Sequence, residues 1–399
     1  MTLPLEGVRV CDLTIIIAGP TCTALLGELG AEVIKIEEIN ARLGGDGGNA
    51  QFQKLNRGKK GISLNLKRPE AREAFLRLIK VSDVVVENFS PRVMPSFGLG
   101  YEDLKAVKPD IVMVSMPALG STGPLSNRLS YGPGIDAMSG MEHVTGFQDG
   151  PPTKPGAIMG DYNAAMMATF SVMMGLYARQ RTGKGQHIEV AMREGQTFLI
   201  GDYIVDAAMN HRSPTRTGNR HSSMAPHNIY PCRGEEEWVA IAVGDDNEWQ
   251  QLQNVLEDPE WMRDPRFQDA IGRYQHQEEI DHYLAQWTRP KTAHEVMTRL
   301  QDAGIASGVV MNARHTAEDP HFNARGVFRK VELSNGDAVH VSRPGYVLTR
   351  SPGQVRPSPG FAEHTDYVFS ELLGYTAEEI GHLEEVRATS RVPIRLVEE

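Results

Sequence analysis

The sequence VRVCDLTIIIAGPTCTALLGELGAEVIKIE, residues 8–37, contains the pattern that decides the fold. Residues 8–18 form a near-continuous apolar run, which is typical of a parallel strand covered on both faces. A Gly-Pro pair follows, and proline is favoured in the first turn of a helix. Residues 21–30 then predict a helix, and residues 31–37 predict a second strand. Together these elements form a βαβ unit, for which a right-handed crossover is expected.

The same alternation continues along the first half of the chain. Helical patterns at 69–80 and 101–108 alternate with apolar segments at 83–89 and 110–119. This alternation predicts a doubly wound, Rossmann-like α/β domain built on a parallel sheet. The sequence adds three further elements to this domain: a Met- and Ala-rich helix over 161–181, a strand at 187–192 and a long helix over 193–210.

The amino-acid composition changes after residue 210, and this change indicates the domain organisation. Residues 1–210 form the N-terminal part of the large domain, and the polar stretch 211–227 is interpreted as a linker or an active-site loop. Residues 228–325 contain short helices rich in acidic residues and Trp, which indicates a smaller α+β domain. Residues 326–399 form a C-terminal segment.

The C-terminal segment carries two local signals. The pair Asn335-Gly336 lies between two strand-like runs and predicts a type I′ hairpin turn. A helix is predicted over 377–388, with Thr376 as its N-cap and Glu379 completing a capping box.

Composition and charge limit the class of protein. Of the 399 residues, 40% are hydrophobic and 23% are charged, as in globular proteins with a large core. The net charge of −10 argues against non-specific nucleic-acid binding, which requires a basic surface. No apolar run reaches the roughly 18 residues of a membrane span, and the first residues lack the pattern of a signal peptide. We therefore expect a cytoplasmic protein with neither a membrane nor a nucleic-acid partner.

The cysteines and the standard motifs exclude several activities. Cys11, Cys22 and Cys232 show neither a CxxC pair nor metal-ligand spacing, so we expect buried free thiols and no metal site. The first crossover turn, IIIAGPTCT, is not a GxGxxG dinucleotide fingerprint. The chain also lacks the GxSxG, HExxH and P-loop motifs.

A basic stretch, KLNRGKKGISLNLKR at 54–68, contrasts with the acidic chain as a whole. It carries six cations, and no acidic residue lies between Gly47 and Pro69. Such a local inversion of charge suits a phosphate-bearing ligand. A solvated surface loop is the alternative interpretation. The GGDGG motif at 44–48 is likewise either a phosphate cradle or a loop.

Asp161 follows Gly160 at the start of the Met- and Ala-rich helix. Aspartate is a preferred N-cap and suits the positive end of a helix dipole, which explains the residue structurally. A carboxylate held there, with Gly160 leaving room for a thioester, also suits an aspartyl nucleophile. Spacing leaves both interpretations open. His221 and His227 are the histidines that qualify as acid/base groups.

Several long segments, taken together, resemble the family III CoA-transferases. They are LEGVRVCDLT, AGP and LGELGAEVIKIE near the start, then NRGKKGISLNLK, DVVVENFSPRVMPSFGLGYEDL, GSTGP, TGKGQHIEVAM and DPHFNARGVF. The family includes formyl-CoA transferase, carnitine CoA-transferase and the α-methylacyl-CoA racemases. The resemblance implies an interlocked homodimer in which the C-terminal segment, 326–399, returns to the large domain.

The resemblance also implies which residues act. The family's catalytic aspartate falls on Asp161, in GAIMGDYNAAM, which makes it a nucleophile that also caps. The acyl group is expected beside Ile17, Tyr131 and Gly132. Family contacts to coenzyme A fall on seven positions: Ile16, Ala18, Leu64, Lys67, Asn88, Phe89 and Phe97.

The chain departs from the formyl-CoA transferase pattern near the acyl group. Ile17 replaces a glutamine and Gly132 replaces a glutamate, which removes polar groups and is expected to open space for a larger or more apolar acyl group. The loop over 218–226 replaces a glycine-rich lid. The racemases have a catalytic histidine where this chain has Tyr131.

Other departures affect the CoA contacts. Two arginines are replaced by Glu38 and Ser96, and a lysine is replaced by Leu129.

The resemblance therefore favours a CoA-transferase that moves CoA from an acyl-CoA, such as succinyl-CoA, to a carboxylic acid. The route would pass through aspartyl anhydride and aspartyl-CoA thioester intermediates. CoA is then carrier and substrate, and no metal is expected. One alternative is an acyl-CoA racemase or isomerase that pairs Asp161 with His221 or His227. Another is a non-catalytic CoA-binding subunit of a heteromer, against which the intact Asp161 argues.

Overall fold

The computed structural model describes residues 2–40, 50–332 and 338–394. The GGDGG motif and the Asn335-Gly336 turn lie outside these ranges. The part of the chain before residue 211 forms the following elements in order: β1 (Arg9–Asp12), α1 (Ala18–Glu28), β2 (Glu32–Glu37), α2 (Ala50–Asn56), β3 (Lys60–Ser63), α3 (Pro69–Lys80), β4 (Val84–Glu87), α4 (Val93–Ser96), α5 (Tyr101–Val107), β5 (Val112–Ser115), α6 (Gly132–Met138), α7 (Met141–Val144), α8 (Met159–Thr182), β6 (Gln186–Glu189), α9 (Met192–Phe198) and α10 (Gly201–Asn210).

These strands form one parallel sheet with the order β3-β2-β1-β4-β5-β6. In its register Val10 lies opposite Val33 on one side and Val84 on the other. This is the order of a doubly wound sheet, which reverses beside the first strand, so the predicted α/β class is confirmed. In such sheets ligands bind beyond the carboxyl ends of the strands, at the point of reversal.

Two hydrophobic clusters cover the two faces of this sheet. Val84 belongs to the cluster that includes Ala168 of α8. Its neighbour Val85 belongs to the other cluster, together with Phe75 of α3 and Phe369 near the C-terminus. Because successive side chains of a strand point to opposite faces, a strand buried on both faces reads as a continuous apolar run.

The chain divides into two compact units, the first comprising 1–142, 154–213 and 323–399, and the second comprising 143–153 and 214–322. The second unit contains an antiparallel sheet of order β7-β8-β9. The elements that follow α10 are β7 (His227–Pro231), β8 (Trp238–Ala242), α11 (Asp246–Val255), two 3₁₀ turns (Glu260–Arg263 and Pro265–Phe267), α12 (Ala270–Gln275), α13 (Gln277–Thr288), α14 (Ala293–Asp302), β9 (Ala306–Val309), α15 (Ala313–Glu318) and α16 (Pro320–Ala324).

The C-terminal segment contributes a hairpin and two helical elements to the first unit. Strands β10 (Phe328–Glu332) and β11 (Ala338–Ser342) pair antiparallel. A π-helical turn (Tyr367–Leu372) and α17 (Ala377–Glu385) follow. The predicted capping box of α17 is confirmed: Glu379 N–H donates to Thr376 Oγ1 at 3.2 Å, and Thr376 N–H donates to Glu379 Oε2 at 2.7 Å.

The structure corrects the sequence interpretation at two elements. The strand predicted over 8–18 ends at Asp12, because the Asp12 carboxylate accepts a hydrogen bond from Thr14 N–H at 2.9 Å and turns the chain. The long helix predicted over 193–210 is two helices, and the second begins at Gly201, a residue type that disfavours helix interiors.

The position of residues 143–153 differs from expectation as well. Assigned from the sequence to the large domain, they group with the second unit. Hydrogen bonds account for this grouping: Gly218 N–H donates to Gly146 O at 2.8 Å, and Arg216 Nε donates to Gly150 O at 3.1 Å. Within the described ranges, no helix combines the length and apolar character needed to cross a membrane.

Candidate active site

A cavity of about 410 Å³ opens at the carboxyl ends of β1, β2 and β3. Its position agrees with the place where doubly wound sheets bind ligands. Five of the residues expected to contact CoA line this cavity: Ile16, Leu64, Lys67, Phe89 and Phe97. The family resemblance therefore identified cavity residues that follow three separate strands, β1, β3 and β4.

The cavity wall is mainly apolar, with few charges. Lys35 lines it, but its ammonium group donates to Thr14 O and lies 3.9 Å from Asp12 Oδ1. Lys67 lines it without an ion pair among the described residues. Glu38 is exposed at the cavity and receives a 2.8 Å hydrogen bond from Asn40 Nδ2, so negative charge stands where the family pattern has an arginine.

The basic stretch 54–68 is not a single cationic surface. Arg57 is buried in an ion pair with Glu28, and Lys59 is buried with its Nζ 2.9 Å from Asp12 Oδ2. Lys60 lies 3.4 Å from Glu32 Oε1. The interpretation of these cations as a phosphate-binding patch is therefore wrong for Arg57 and Lys59, whose charges are buried in ion pairs, whereas Lys60 is partly exposed. Lys67 at the end of the stretch still faces the cavity.

Asp161 lies in the first turn of α8 and is buried. Its predicted N-cap role is wrong: the N-cap position is Ile158, and no side chain caps the helix. The carboxylate lies in the first turn of α8, where free N–H groups and the helix dipole favour negative charge.

Burial and the neighbouring groups shift the pKa of the Asp161 carboxyl group in opposite directions. Burial raises the pKa of its carboxyl group from 3.8 to about 6, and the Ala18 N–H opposes this shift. The negative charge of Asp136 raises the pKa further. Asp136 is fully buried on α6, and its Oδ1 accepts a 2.9 Å hydrogen bond from Gly160 N–H. Its Oδ2 has no hydrogen-bond partner among the described residues.

Two glycines allow α6 to pack against the carboxylate. A Cβ atom at Gly132 would lie 2.3 Å from Asp161 Oδ2 and 2.2 Å from Ile158 Cγ2. A Cβ atom at Gly160 would lie 2.9 Å from Ile135 Cγ2. Gly132 thus lies against the Asp161 carboxylate, and the expectations that Gly132 opens space for the acyl group and that Gly160 leaves room for a thioester stay predictions.

Asn88 and Ala18 do not line the cavity, although contacts to CoA were expected from both. The Asn88 side chain donates to Ile15 O and accepts from Ile15 N–H, each at 2.8 Å. Ala18 is buried as the first residue of α1. Both residues therefore shape the turn between β1 and α1.

The remaining predicted residues are spread over the two units. Ile17 is buried at the N-cap of α1, and Tyr131 is 74% exposed at the N-cap of α6. His221 and His227 belong to the second unit, with ring centroids 5.4 Å apart. His227 Nδ1 lies 2.7 Å from Asn219 O. The pairing of either histidine with Asp161 stays a prediction.

A second polar cluster lies at the ends of three strands. The sequence interpretation did not identify it. Glu87, Ser115 and Glu189 are in register on β4, β5 and β6, and Ser115 Oγ lies 2.8 Å from His187 Nε2. Burial raises the pKa of Glu87 to about 7. Glu87 Oε2 accepts a 2.8 Å hydrogen bond from the N–H of Phe89, a residue of the cavity wall. A charged residue ending an apolar strand, as in VVVE, is the signal that marks this cluster.

The three cysteine thiols are buried in the fold. All three cysteines are free and buried, and burial raises the pKa of the Cys11 and Cys22 thiols to about 12. A thiol with a raised pKa is a poor nucleophile, so the expectation of structurally buried cysteines agrees with the fold.

The fold is an α/β fold with a cavity at the reversal point of its sheet, and the buried Asp161 carboxylate lies in α8 outside the lining of that cavity. The sequence model of CoA-transferase family III matches residues 5–365. The chain belongs to CoA-transferase family III and is a CoA-transferase, as the resemblance in its sequence implied.

Named relatives cover almost the whole chain. Succinyl-CoA–D-citramalate CoA-transferase of Chloroflexus aurantiacus is 33% identical over 96% of this chain and 98% of the relative. Formyl-CoA:oxalate CoA-transferase of Rhodopseudomonas palustris is 30% identical over 96% of both chains. The crystal structure of a CaiB/BaiF family protein from Brucella suis is 29% identical and superposes with a TM-score of 0.84, covering 93% of this chain and all of that one.

Proposed function

We propose that this CoA-transferase moves CoA from an acyl-CoA to a carboxylic acid, with Asp161 as the nucleophile. One observation carries the proposal: the buried Asp161 carboxylate lies directly against Gly132, a residue expected beside the acyl group, since a Cβ atom at Gly132 would lie 2.3 Å from Asp161 Oδ2. A carboxyl group held in place beside the expected acyl position is well placed for covalent catalysis.

The proposed reaction begins when the Asp161 carboxylate attacks the thioester carbonyl of the acyl-CoA. A C–O bond forms, the C–S bond breaks, and an acyl–aspartyl anhydride and the CoA thiolate result. The thiolate then attacks Cγ of Asp161, and the acyl group leaves as a carboxylate. The acceptor acid attacks the aspartyl-CoA thioester to give a second anhydride, from which CoA takes the acceptor acyl group and frees Asp161.

The cavity at the strand ends is the proposed site for CoA. Its apolar wall, with Phe89 and Phe97, suits the adenine ring and the pantetheine chain, and Lys67 supplies a cation for a phosphate. CoA acts as substrate and carrier here. The chemistry described above requires no metal ion.

For the donor we propose succinyl-CoA or another small dicarboxylyl-CoA, transferred to a carboxylic acid acceptor. Support comes from the relative that carries succinyl-CoA and D-citramalate in its name, at 33% identity over nearly the full length. Ile17 and the glycine at 132 stand where the formyl-CoA transferase pattern has polar side chains, which supports a donor other than formyl-CoA.

We further propose that the active form is an interlocked homodimer. Long helix α8 exposes large apolar side chains along one stripe, namely Met166, Phe170, Met174 and Tyr177, and α10 exposes Ile204, Val205 and Met209. Contiguous apolar surfaces of this kind mark association sites, and a second copy of the chain is the partner that the family resemblance implies. The three buried free thiols support a reducing, cytoplasmic location.

Mass spectrometry tests the proposed chemistry. Purified protein is screened with acyl-CoA donors against carboxylic acids, and products and intact protein masses are recorded. We expect CoA transfer and, on the wild-type protein, a thioester adduct with the mass of CoA less one water. The variant Asp161→Ala is expected to bind CoA but to show neither transfer nor adduct, whereas Asp302→Ala, at an exposed position of α14, retains both. Full turnover by Asp161→Ala would remove Asp161 from the mechanism.

A further inference from the structure

Helix α6 meets the first turn of α8 through two residues of one face. Gly132 and Asp136 are four positions apart on α6, so they lie on the same side of the helix. A Cβ atom at Gly132 would lie 2.3 Å from Asp161 Oδ2. Asp136 Oδ1 accepts a 2.9 Å hydrogen bond from the N–H of Gly160. One face of α6 therefore contacts both the carboxylate of Asp161 and the main chain of the residue before it.

The hydrogen bond from Gly160 attaches the start of α8 to α6. The first N–H groups of a helix have no partner within the helix, and Gly160 is the second residue of α8. Ile158, at the N-cap position, has no polar side chain that accepts from these groups. Asp136 therefore supplies, from another helix, an acceptor that the N-cap position lacks.

Packing around Gly160 leaves this attachment little freedom. A Cβ atom at Gly160 would lie 2.9 Å from Ile135 Cγ2 and 3.2 Å from Asp136 Oδ1, so α6 and α8 approach closely at this point. Ile135 and Asp136 are both buried. Because protein interiors are close-packed, a shift of the Asp136 carboxylate would move the main chain of α8 at Gly160.

Burial of Asp136 is costly for the fold. The residue has no exposed surface, and its Oδ2 has no hydrogen-bond partner within the described ranges. A buried carboxylate oxygen without a donor reduces stability. A purely stabilising role therefore does not account for a carboxylate at this position, whereas a role in holding the first turn of α8 does.

We infer that Asp136 is a positioning residue that holds Asp161 beside the predicted acyl site. Its hydrogen bond with the main chain of Gly160 fixes the first turn of α8 against α6. Helix α6 itself begins at Gly132 and has Tyr131 at its N-cap position, and both residues are expected beside the acyl group. The inference rests on the proposed role of Asp161 as nucleophile and adds the residue that sets its distance from the acyl position.

The first step of the proposed transfer depends on this distance. An Asp161 oxygen forms a C–O bond to the thioester carbonyl while the C–S bond breaks and CoA leaves as the thiolate. Reacting atoms must be held about 3–3.5 Å apart for such an attack, and a displacement of about 1 Å lowers the rate by about 10²-fold. Asp136 does not line the cavity proposed for CoA, so its substitution is expected to change turnover rather than CoA binding.

Two conservative substitutions separate the position of the Asp136 acceptor from its charge. Asp136→Asn keeps an acceptor oxygen for Gly160 N–H and removes the charge. Asp136→Glu keeps the charge, but its extra methylene displaces the acceptor. Kinetics are measured at pH 8, above the pKa of about 6 of the Asp161 carboxyl group. We expect a wild-type kcat for Asp136→Asn, and for Asp136→Glu a kcat about 10²-fold lower with unchanged affinity for CoA in calorimetric titration.

Rapid-quench mass spectrometry follows the same effect in the first half of the reaction. The thioester adduct on Asp161 is expected to form at the wild-type rate in Asp136→Asn and about 10²-fold more slowly in Asp136→Glu. If Asp136→Glu does not fold, Asp136→Ala removes the acceptor without adding bulk, and the same results are expected of it. Met138→Ala is the control on the same helix, because the Met138 side chain is 40% exposed, and it should match the wild type.

Each alternative outcome has its own meaning. A wild-type kcat in Asp136→Glu, or in Asp136→Ala where that variant replaces it, would overturn the positioning role. A 10²-fold fall in Asp136→Asn would also overturn it and would assign the effect to the charge of Asp136. Weaker CoA binding with unchanged kcat would assign Asp136 to the CoA site instead. Absence of CoA transfer by the wild-type enzyme with every donor and acceptor would remove the proposed function itself.

Discussion

Lys59 Nζ lies 2.9 Å from Asp12 Oδ2, and neither side chain is exposed to solvent. Lys59 also donates to Pro20 O at 3.1 Å, and Thr23 Oγ1 donates to Asp12 Oδ2 at 2.8 Å. Although burial opposes ionisation, Lys35 and Lys59 lower the pKa of the Asp12 carboxyl group to about 2. This buried network joins β1, the start of α1 and β3 beneath the candidate active site.

Removal of one partner of this pair is expected to destabilise the fold strongly. In Lys59→Met the Asp12 carboxylate keeps its burial and loses its closest cation, and such a loss typically reduces the free energy of unfolding by about 3–5 kcal/mol. Lys60→Met is the matched control, since Lys60 is partly exposed and its pairing with Glu32 contributes about 0–1 kcal/mol. Urea denaturation measures both variants. Equal effects at the two positions would contradict the importance assigned to the buried pair.

A methyl group at Gly132 is expected to displace the nucleophile. The added Cβ of Gly132→Ala would lie 2.3 Å from Asp161 Oδ2, so α6 and the carboxylate must move apart. We expect a fall in kcat of about 10²-fold with CoA binding retained. Gly134→Ala on the same helix is the control, because its Cβ meets the terminal hydroxyl of Ser130, which rotates away. Kinetics and calorimetric CoA titration check both, and equal kcat values in the two variants would argue against contact between Gly132 and the carboxylate.

Activity is expected to fall as the pH drops through about 6. Burial and the charge of Asp136 raise the pKa of Asp161 to about 6, and only its ionised form is a nucleophile. Asp136→Asn keeps an acceptor for Gly160 N–H and removes the like charge, so the acidic limb of the kcat profile should move to lower pH. Asp302→Asn, at an exposed position of α14, serves as control. A limb that stays in place, or moves upward, in Asp136→Asn would be inconsistent with this electrostatic coupling.

Glu87 is expected to make the stability of the protein depend on pH. Burial raises its pKa in the folded state from 4.5 to about 7, so the fold binds a proton that the unfolded chain releases at lower pH. Its contribution is therefore present below pH 4.5 and is lost as the pH rises towards 7. Glu87→Gln removes this loss and keeps an acceptor for Phe89 N–H.

The size of this effect follows from the shift in pKa. Relative to the wild type, Glu87→Gln should gain on the order of 2–3 kcal/mol of unfolding free energy between pH 5 and pH 8. Denaturant unfolding at the two pH values measures the difference. The exposed Glu102→Gln on α5 should show none, and a pH-independent difference for Glu87→Gln would contradict the raised pKa.

Lys67 is expected to affect binding rather than turnover. Its ammonium group faces the cavity at the strand ends, and loss of a charge-assisted contact to phosphate typically weakens binding by about tenfold. In Lys67→Ala we expect a raised KM for acyl-CoA with kcat unchanged, and a weaker dependence of KM on salt. Lys105→Ala, on the exposed surface of α5, is the control. An unchanged KM would place the phosphates of CoA away from this part of the cavity.

The sequence by itself determined the class of fold and much of its local structure. The helix predicted at 69–80 is α3, Pro69–Lys80, and the capping box of α17 forms as predicted. These features depend on short-range physics: the period of apolar residues, the fixed φ of proline and the free N–H groups of a helix start. The family resemblance likewise identified residues that do line the cavity, such as Leu64 and Phe97.

Only the tertiary structure decided how the site is assembled. Asn88 and Ile15 are 73 residues apart in the chain, and Gly132 and Asp161 come together from two separate helices. Local patterns carry no information about such pairings, which arise when parallel strands bring their carboxyl ends to one edge of the sheet. For the same reason the sequence could not distinguish a cation on the surface from Lys59, whose charge is buried against Asp12: burial depends on elements that are remote in sequence.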